Sequence, residues 1–398
     1  MEFKKIKDNY NKYIMNTYLQ NDICLINGKG IYVFDTEGKK YMDFISGISV
    51  INLGYSHPEW VKVLQKQINR IVHSSNLYYI EPQARLAELL IKNSINGKCF
   101  FCNSGAEANE AAIKLARKFS KDHYGENKFE IITMEKSFHG RTLATITATG
   151  QKKYQEGFSP LMPGFIYTPF NDFKALKNKV TKKTCAIMLE LVQAEGGINV
   201  AEKKFIEDTA ALCKDKNILL LIDEIQTGIG RCGEMFAYKL YNVDPDIFTL
   251  AKALGSGIPI GAMIAKKEIA ETFKPGTHAS TFGGNHLACI AALSTINTDL
   301  NKKLIANARE TGKYLLECLM KIKNKYSFVK DVRGKGLLIG MELSYPAHPI
   351  VKKCQEKGIL LNCIQNTVLR FAPPLIITKK EIDYMIKILD KELSQGGR

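Results

Sequence analysis

Three segments of the chain carry residues whose types and positions suit chemistry. In Leu220-Leu221-Ile222-Asp223-Glu224-Ile225-Gln226-Thr227-Gly228 an acidic pair ends an apolar run. α/β sheets bind ligands beyond the carboxyl ends of their strands, and a carboxylate buried there needs a cation or hydrogen-bond donors to offset its desolvation. In Thr249-Leu250-Ala251-Lys252-Ala253-Leu254-Gly255 a lysine ends a second apolar run. A lysine in an apolar pocket loses basicity and can form a Schiff base with a carbonyl. In Asn103-Ser104-Gly105-Ala106-Glu107, Ser104 can cap a helix with Glu107 completing the box, and Gly105 opens the first-turn N–H groups to an anion. Each segment alone has a plainer reading: a solvated acid, a snorkelling lysine, a capped helix. Together they supply an amine for an aldehyde, an acid for a pyridine nitrogen and a phosphate cradle, which is what pyridoxal phosphate asks of a protein.

Two other motifs compete. Gly228-Ile229-Gly230-Arg231-Cys232-Gly233 matches G-x-G-x-x-G. A dinucleotide-binding turn must open a helix directly after the strand, whereas here Asp-Glu-Ile-Gln-Thr intervenes and no amphipathic pattern follows. That leaves a nicotinamide-dependent oxidoreductase as a weaker alternative of a different class. Cys99-Phe100-Phe101-Cys102 has C-x-x-C spacing. It lies in a strand-like run rather than at a helix start, and no second pair would complete a zinc site, so packing is the simpler reading and no metal is expected.

The elements that must position these residues alternate. Residues 31–44 read as a hairpin. The patterns predict helices over 58–72, 82–94, 105–120 and 203–216, and strands over 99–102, 130–134, 185–192, 217–223, 247–250 and 260–265. The strands are continuously apolar, as in a largely parallel sheet covered on both faces. Beyond about residue 290 the texture becomes α+β, with a charged helix over 301–324, strand-like 336–342 and a final helix opened by Thr378-Lys379-Lys380-Glu381. The expected organisation is a large domain over 58–290 and a small domain built from 1–57 and 291–398.

Composition bounds the rest. The chain has 398 residues, 45% hydrophobic and 24% charged, which excludes a disordered or fibrous protein. Its formal charge of +16 raises the possibility of a polyanion partner. The lysine clusters at 4–7, 174–183, 321–325 and 379–380 lie on different elements, mostly beside acids and without interleaved aromatics, so solvated faces are expected rather than a nucleic-acid surface. The first residues lack the apolar core of a secretory signal, no run approaches a membrane span, and ten scattered cysteines suit a reducing, cytoplasmic setting.

The chain resembles the class III (subgroup II) aminotransferases of fold type I over essentially its whole length. The resemblance rests on Ser104-Gly105-Ala106-Glu107-Ala108, Phe138-His139-Gly140-Arg141-Thr142, Asp223 through Gly228, Ala251-Lys252-Ala253-Leu254-Gly255 and Thr281-Phe282-Gly283-Gly284-Asn285. It implies a mostly parallel seven-stranded sheet, pyridoxal 5'-phosphate as cofactor, and ping-pong transfer of an amine to 2-oxoglutarate. Ornithine, its N-acyl derivatives and 4-aminobutyrate are the donors it leaves open. By this resemblance Lys252 is the Schiff-base lysine and proton carrier, and Asp223 pairs with the pyridine nitrogen. Ser104, Gly105 and Ala106 hold the phosphate, Phe138 and Ile225 cover the two ring faces, and Gln226 lies near the phenolic oxygen. Thr281 is a phosphate ligand given to the partner subunit's site, which implies a homodimer with shared sites. Arg141 anchors the donor's α-carboxylate and Arg370 a carboxylate of 2-oxoglutarate, with Glu195 pairing Arg370 when no second carboxylate is bound. Tyr18 and Asn76 are candidates near the substrate entrance.

Overall fold

The computed structural model describes residues 2–301 and 303–396. The six predicted strands, joined by Phe165–Thr168, which no sequence pattern marks, form one sheet, in the order Gly97–Cys102, Gly261–Lys266, Ile247–Leu250, Leu219–Asp223, Thr184–Glu190, Glu130–Met134 and Phe165–Thr168. The last five are mutually parallel, and only Gly261–Lys266 runs against both of its neighbours. The strands are apolar throughout because both faces are covered. Ile187, Leu189, Leu220 and Ile222 enter one core with Leu86, Leu90 and Phe205, whereas Ala186, Met188, Leu219 and Leu221 enter another against Ala111, Ala112 and Leu115 of helix Gly105–Tyr124. This is period-two alternation in strands with no wet side.

Two sequence boundaries move for physical reasons. The predicted strand 185–192 ends at Glu190, and Val192–Gln193 turns away to pair with Asn199–Val200 in a separate two-stranded ladder. The loop between them, with Gly197 at φ +113°, carries Glu195. The helix predicted over 58–72 stops at Ile68. Residues 228–233 form turns and no helix, with Gly230 and Gly233 at positive φ, so the dinucleotide reading lacks its structure. Cys99 and Cys102 lie three apart on a strand and face opposite sides, and burial pushes both thiols up to about 12. Neither is a thiolate at neutral pH.

Residues from both chain ends share a further core. Ile31, Met42, Phe44 and Leu53 pack with Leu315, Met341, Phe371 and Leu389. The N-terminal strand Lys40–Asp43 takes Ile359–Leu360 as a parallel neighbour, and Val329–Lys335, Leu338–Leu343, Val368–Phe371 and Asn362–Ile364 form an antiparallel sheet. The final helix, Lys379–Gly396, has its capping box: Thr378 N–H donates to Glu381 Oε2 at 2.8 Å and Glu381 N–H to Thr378 Oγ1 at 3.4 Å. No helix among the described residues is long and apolar enough to cross a membrane.

Candidate active site

Parallel register brings the strand ends to one edge. Asp223 lies opposite Glu190 on one side and Thr249 on the other, and Lys252 follows two residues after Leu250. Asp223 is 4% exposed and accepts three hydrogen bonds. Its Oδ2 accepts from Asn109 Nδ2 and His139 Nδ1, both at 2.8 Å, and its Oδ1 accepts the Ile225 N–H at 3.0 Å. With Asp223 Oδ2 as the acceptor of this contact, His139 Nδ1 is its donor. Asn109 is fixed in turn by Thr249 Oγ1, which donates to its Oδ1 at 2.7 Å. Three donors on one carboxylate meet the need of a buried acid for hydrogen-bond partners deep in the fold.

Lys252 sits in a tight turn at φ +46°, a region that is costly for a residue with a Cβ. Burial brings its amine down to about 8, against the opposing pull of Glu195. A cavity of about 450 Å³ joins Lys252, Asp223, Phe138, Ile225, Gln226 and the 104–106 turn. The helix 105–124 opens at that turn: Ser104 Oγ accepts the Glu107 N–H at 3.2 Å, and Glu107 Oε2 accepts the Asn103 N–H at 2.9 Å. This leaves the N–H groups of Gly105 and Ala106 without partners inside the helix. A Cβ on Gly105 would stand 2.7 Å from Ile225 Cδ1, so glycine there keeps the cavity open beside the helix dipole. An anion site, a buried acid and a depressed lysine around one apolar space fit a phosphate-bearing aromatic aldehyde. The buried Gln226 Oε1, lining the same space without a partner, adds an unmet polar group.

Two arginines occupy different settings. Arg370 is 1% exposed; it gives Nη1 to Glu195 Oε1 at 2.5 Å and Nε to Asn362 Oδ1 at 3.2 Å. Gln226 Nε2 donates to the same Glu195 oxygen at 3.1 Å. Burial raises the Glu195 carboxyl, yet Arg370 and Lys252 overcome it and hold Glu195 below its ordinary value. Arg141 lines the cavity at its exposed side, with its guanidinium 4.1 Å from the Tyr154 ring centroid and 5.7 Å from that of Phe138.

Three sequence-selected residues are not brought into the cavity of this single chain. Tyr18 is 76% exposed and Thr281 lies on an exposed turn. Asn76 instead staples that turn, donating to Ser280 O at 3.0 Å and Gly283 O at 2.9 Å. Conversely, Glu190, Asn109 and Tyr154 were not selected. Glu190 ends an apolar strand as Asp223 does, and Asn109 is a polar break in an alanine-rich helix face; both signals were readable. Tyr154 had none.

A helix-first-turn cradle, a strand-end acid and a lysine in the next crossover define a class of carbonyl-handling enzyme. The aminotransferase class-III family model matches residues 13–393, and the chain belongs to that family. It is 51% identical over 386 residues to acetylornithine aminotransferase of Methanocaldococcus jannaschii, covering 96% of each chain. It is 49% identical to that of Caldanaerobacter subterraneus, covering 96% of this chain and 98% of the relative. Among solved structures, ornithine aminotransferase from Toxoplasma gondii ME49 superposes with a TM-score of 0.96 at 30% identity, over 100% of this chain and 97% of the other. A crystal of the T. gondii enzyme grown with oxidized glutathione shows partial occupancy of PLP at its active site. Acetylornithine aminotransferase from Elizabethkingia anophelis gives 0.89 at 32% identity, over 99% and 100%.

Proposed function

We propose that this aminotransferase uses pyridoxal 5'-phosphate to move the terminal amine of N2-acetyl-L-ornithine to 2-oxoglutarate, yielding N-acetyl-L-glutamate 5-semialdehyde and L-glutamate, a step of arginine biosynthesis. The observation that carries the two-substrate reading is the Glu195–Arg370 contact, tied to the cavity through Gln226. The choice of donor rests on the acetylornithine aminotransferases that are half identical to this chain. We also take the working form to be a homodimer in which Thr281 serves the neighbouring subunit's phosphate, with 58–290 acting as the cofactor domain and 1–57 plus 291–398 as the small one.

Ser104, Gly105, Ala106, Phe138, Ile225 and Gln226 would hold the cofactor, which when bound supplies an aldehyde and an electron-withdrawing ring. Asp223, held in place by its three donors, would stabilise positive charge at the ring nitrogen. His139 and Asn109 hold that carboxylate in place. Lys252, its amine near neutrality, is half-charged close to working pH and suits both taking a proton from the donor's reacting carbon and returning it. Arg141 would pair with the donor's α-carboxylate at the cavity mouth. With a donor that brings no second carboxylate, Glu195 neutralises Arg370. When 2-oxoglutarate arrives, Glu195 yields and Arg370 takes the incoming carboxylate bidentately.

The test is a donor panel with 2-oxoglutarate, after borohydride reduction has located the chromophore by peptide mass. Acetylornithine should have the highest kcat/KM and the label should fall on Lys252. A higher value for ornithine or 4-aminobutyrate, or a label elsewhere, would overturn this reading.

A further inference from the structure

Arg141 is the one arginine at the cavity mouth, and among the described residues it has neither a carboxylate nor a hydrogen-bond partner. An unpaired guanidinium on an exposed segment samples many rotamers, so an anchor of this kind loses much of its binding energy to ordering. The structure supplies a different restraint. The Arg141 guanidinium lies 4.1 Å from the centroid of the Tyr154 ring, well inside the range of a cation–π contact. Tyr154 in turn meets Phe138 edge-on, with centroids 5.6 Å apart and planes at 79°, the favoured T-shaped arrangement. Phe138 has its own tether, its N–H donating to Glu190 Oε2 at 3.0 Å. A chain of contacts therefore runs from the buried strand end through Phe138 and Tyr154 to the guanidinium.

We propose that Tyr154 is a positioning residue for donor selection: its ring holds Arg141 over the cavity mouth so that the guanidinium meets the donor's α-carboxylate already ordered. This rests on the assignment of Arg141 as the α-carboxylate anchor. A planar cation on an aromatic face keeps its N–H edge free, so the ring fixes the guanidinium without consuming the donors the substrate needs. Burial and the nearby Glu195 push the Tyr154 phenol up, so the ring stays neutral at working pH. The short helix Lys152–Gln155 that carries Tyr154 is anchored separately, by Gln155 Nε2 on Thr149 O at 2.8 Å and on Tyr167 Oη at 2.9 Å.

The test compares donors that differ only in the α-carboxylate: N2-acetyl-L-ornithine against N-acetylputrescine, and L-ornithine against putrescine, each with 2-oxoglutarate. The variants are Tyr154→Phe, which keeps the ring, and Tyr154→Leu and Tyr154→Gln, which remove it. The wild-type preference for the carboxylated member of each pair should persist in Tyr154→Phe. It should fall about fivefold to tenfold in both ringless variants, chiefly through KM for the carboxylated donor. Turnover of the decarboxylated donor should change little, which a general folding defect would not allow. Binding of N2-acetyl-L-norvaline, which lacks the reacting amine, should weaken by the same factor in calorimetry. An unchanged preference in the ringless variants, or an equal loss in Tyr154→Phe, would overturn the proposal. Wild-type enzyme that prefers ornithine to acetylornithine would instead overturn the donor assignment, while the ornithine–putrescine pair still reads the role of Tyr154.

Discussion

Glu195→Gln measures what the Arg370 partner contributes to accepting two unlike substrates. Arg370 is almost wholly buried, and the Glu195 carboxylate is its one anionic partner within 4 Å among the described residues. A hydrogen bond to a charged group contributes about 1.5–3 kcal/mol, and a charge-assisted bond is roughly twice as strong as a neutral one. Substituting a neutral amide therefore gives up about 1–1.5 kcal/mol of the Arg370 contact, or roughly fivefold to tenfold in an equilibrium constant. 2-Oxoglutarate must displace the residue at 195 to reach Arg370, so the loss becomes its gain. Its KM should fall by about that factor, and L-glutamate should improve as a donor in parallel. Acetylornithine brings no second carboxylate and meets an under-neutralised cation, so its half-reaction should weaken. The two half-reactions are read separately by single-turnover absorbance of the holoenzyme with one substrate at a time. Their ratio should move toward the dicarboxylate by roughly tenfold or more. If both half-reactions changed by one common factor, or KM for 2-oxoglutarate stayed fixed, Glu195 would not compete for Arg370.

Three further outcomes follow from the geometry. In cofactor-free protein the Lys252 amine is depressed to about 8, so below that pH folding buries an ammonium, and the cost disappears as pH rises from about 8 to its ordinary 10.5. Lys252→Met should therefore stabilise the cofactor-free protein at pH 7 by about 2–3 kcal/mol in urea unfolding, with the difference from wild type vanishing near pH 10.5; a pH-independent difference would contradict a buried amine. Gly105→Ala places a Cβ 2.7 Å from Ile225 Cδ1 and drives Ile225 toward the cavity. Equilibrium dialysis should show cofactor binding about fivefold or more weaker, from an overpacking cost of about 1–3 kcal/mol, and unchanged affinity would sink the cradle. Arg231 is fully buried and donates to Leu337 O at 3.1 Å, to Pro373 O and to Asn52 Oδ1 at 2.6 Å, joining three distant segments. Arg231→Leu strands these buried acceptors and should cost about 1–3 kcal/mol of unfolding free energy, and no loss at all would mean that they find other partners.

What was legible in the sequence was whatever a single segment declares. Asp223 and Lys252 each end an apolar run, and the Ser104–Glu107 box announces a helix start, so these residues, which line one cavity, could be singled out before any fold was known. The alternation of continuously apolar runs with helical patterns was enough for six strands of a largely parallel sheet, whereas the seventh, Phe165–Thr168, carries no such pattern and the count of seven came from the resemblance. What no segment declares is which distant residues meet. The Glu195–Arg370 pair spans two chain regions that come together only because the loop after Gln193 turns toward the strand Val368–Phe371, and the resemblance, not the spacing, suggested it. Tyr154 lies in a short helix with no pattern of its own. The break of the 185–192 run at Glu190 is invisible to hydropathy because Val192 and Gln193 remain buried in a different ladder. Tyr18 and Thr281 lie on the surface of one chain, so a single copy places neither in the cavity.

The acids at the base of the cavity are braced unequally. Glu190 and Asp223 end adjacent parallel strands and are register partners. Two neighbouring carboxyl groups in a low-dielectric site do not ionise together, so the fold must distinguish them. It does so by unequal donors. Asp223 receives Asn109, His139 and a backbone N–H, whereas Glu190 receives the Phe138 N–H. Burial, then the charge of Asp223, push the Glu190 carboxyl well above its ordinary range. Asp223 thus has the richer set of donors. Glu190, its carboxyl pushed up, anchors the backbone of Phe138 through the N–H it accepts. Two carboxyl groups on adjacent strand ends of one small cavity are therefore braced in different ways, one by three donors and one by a single backbone N–H.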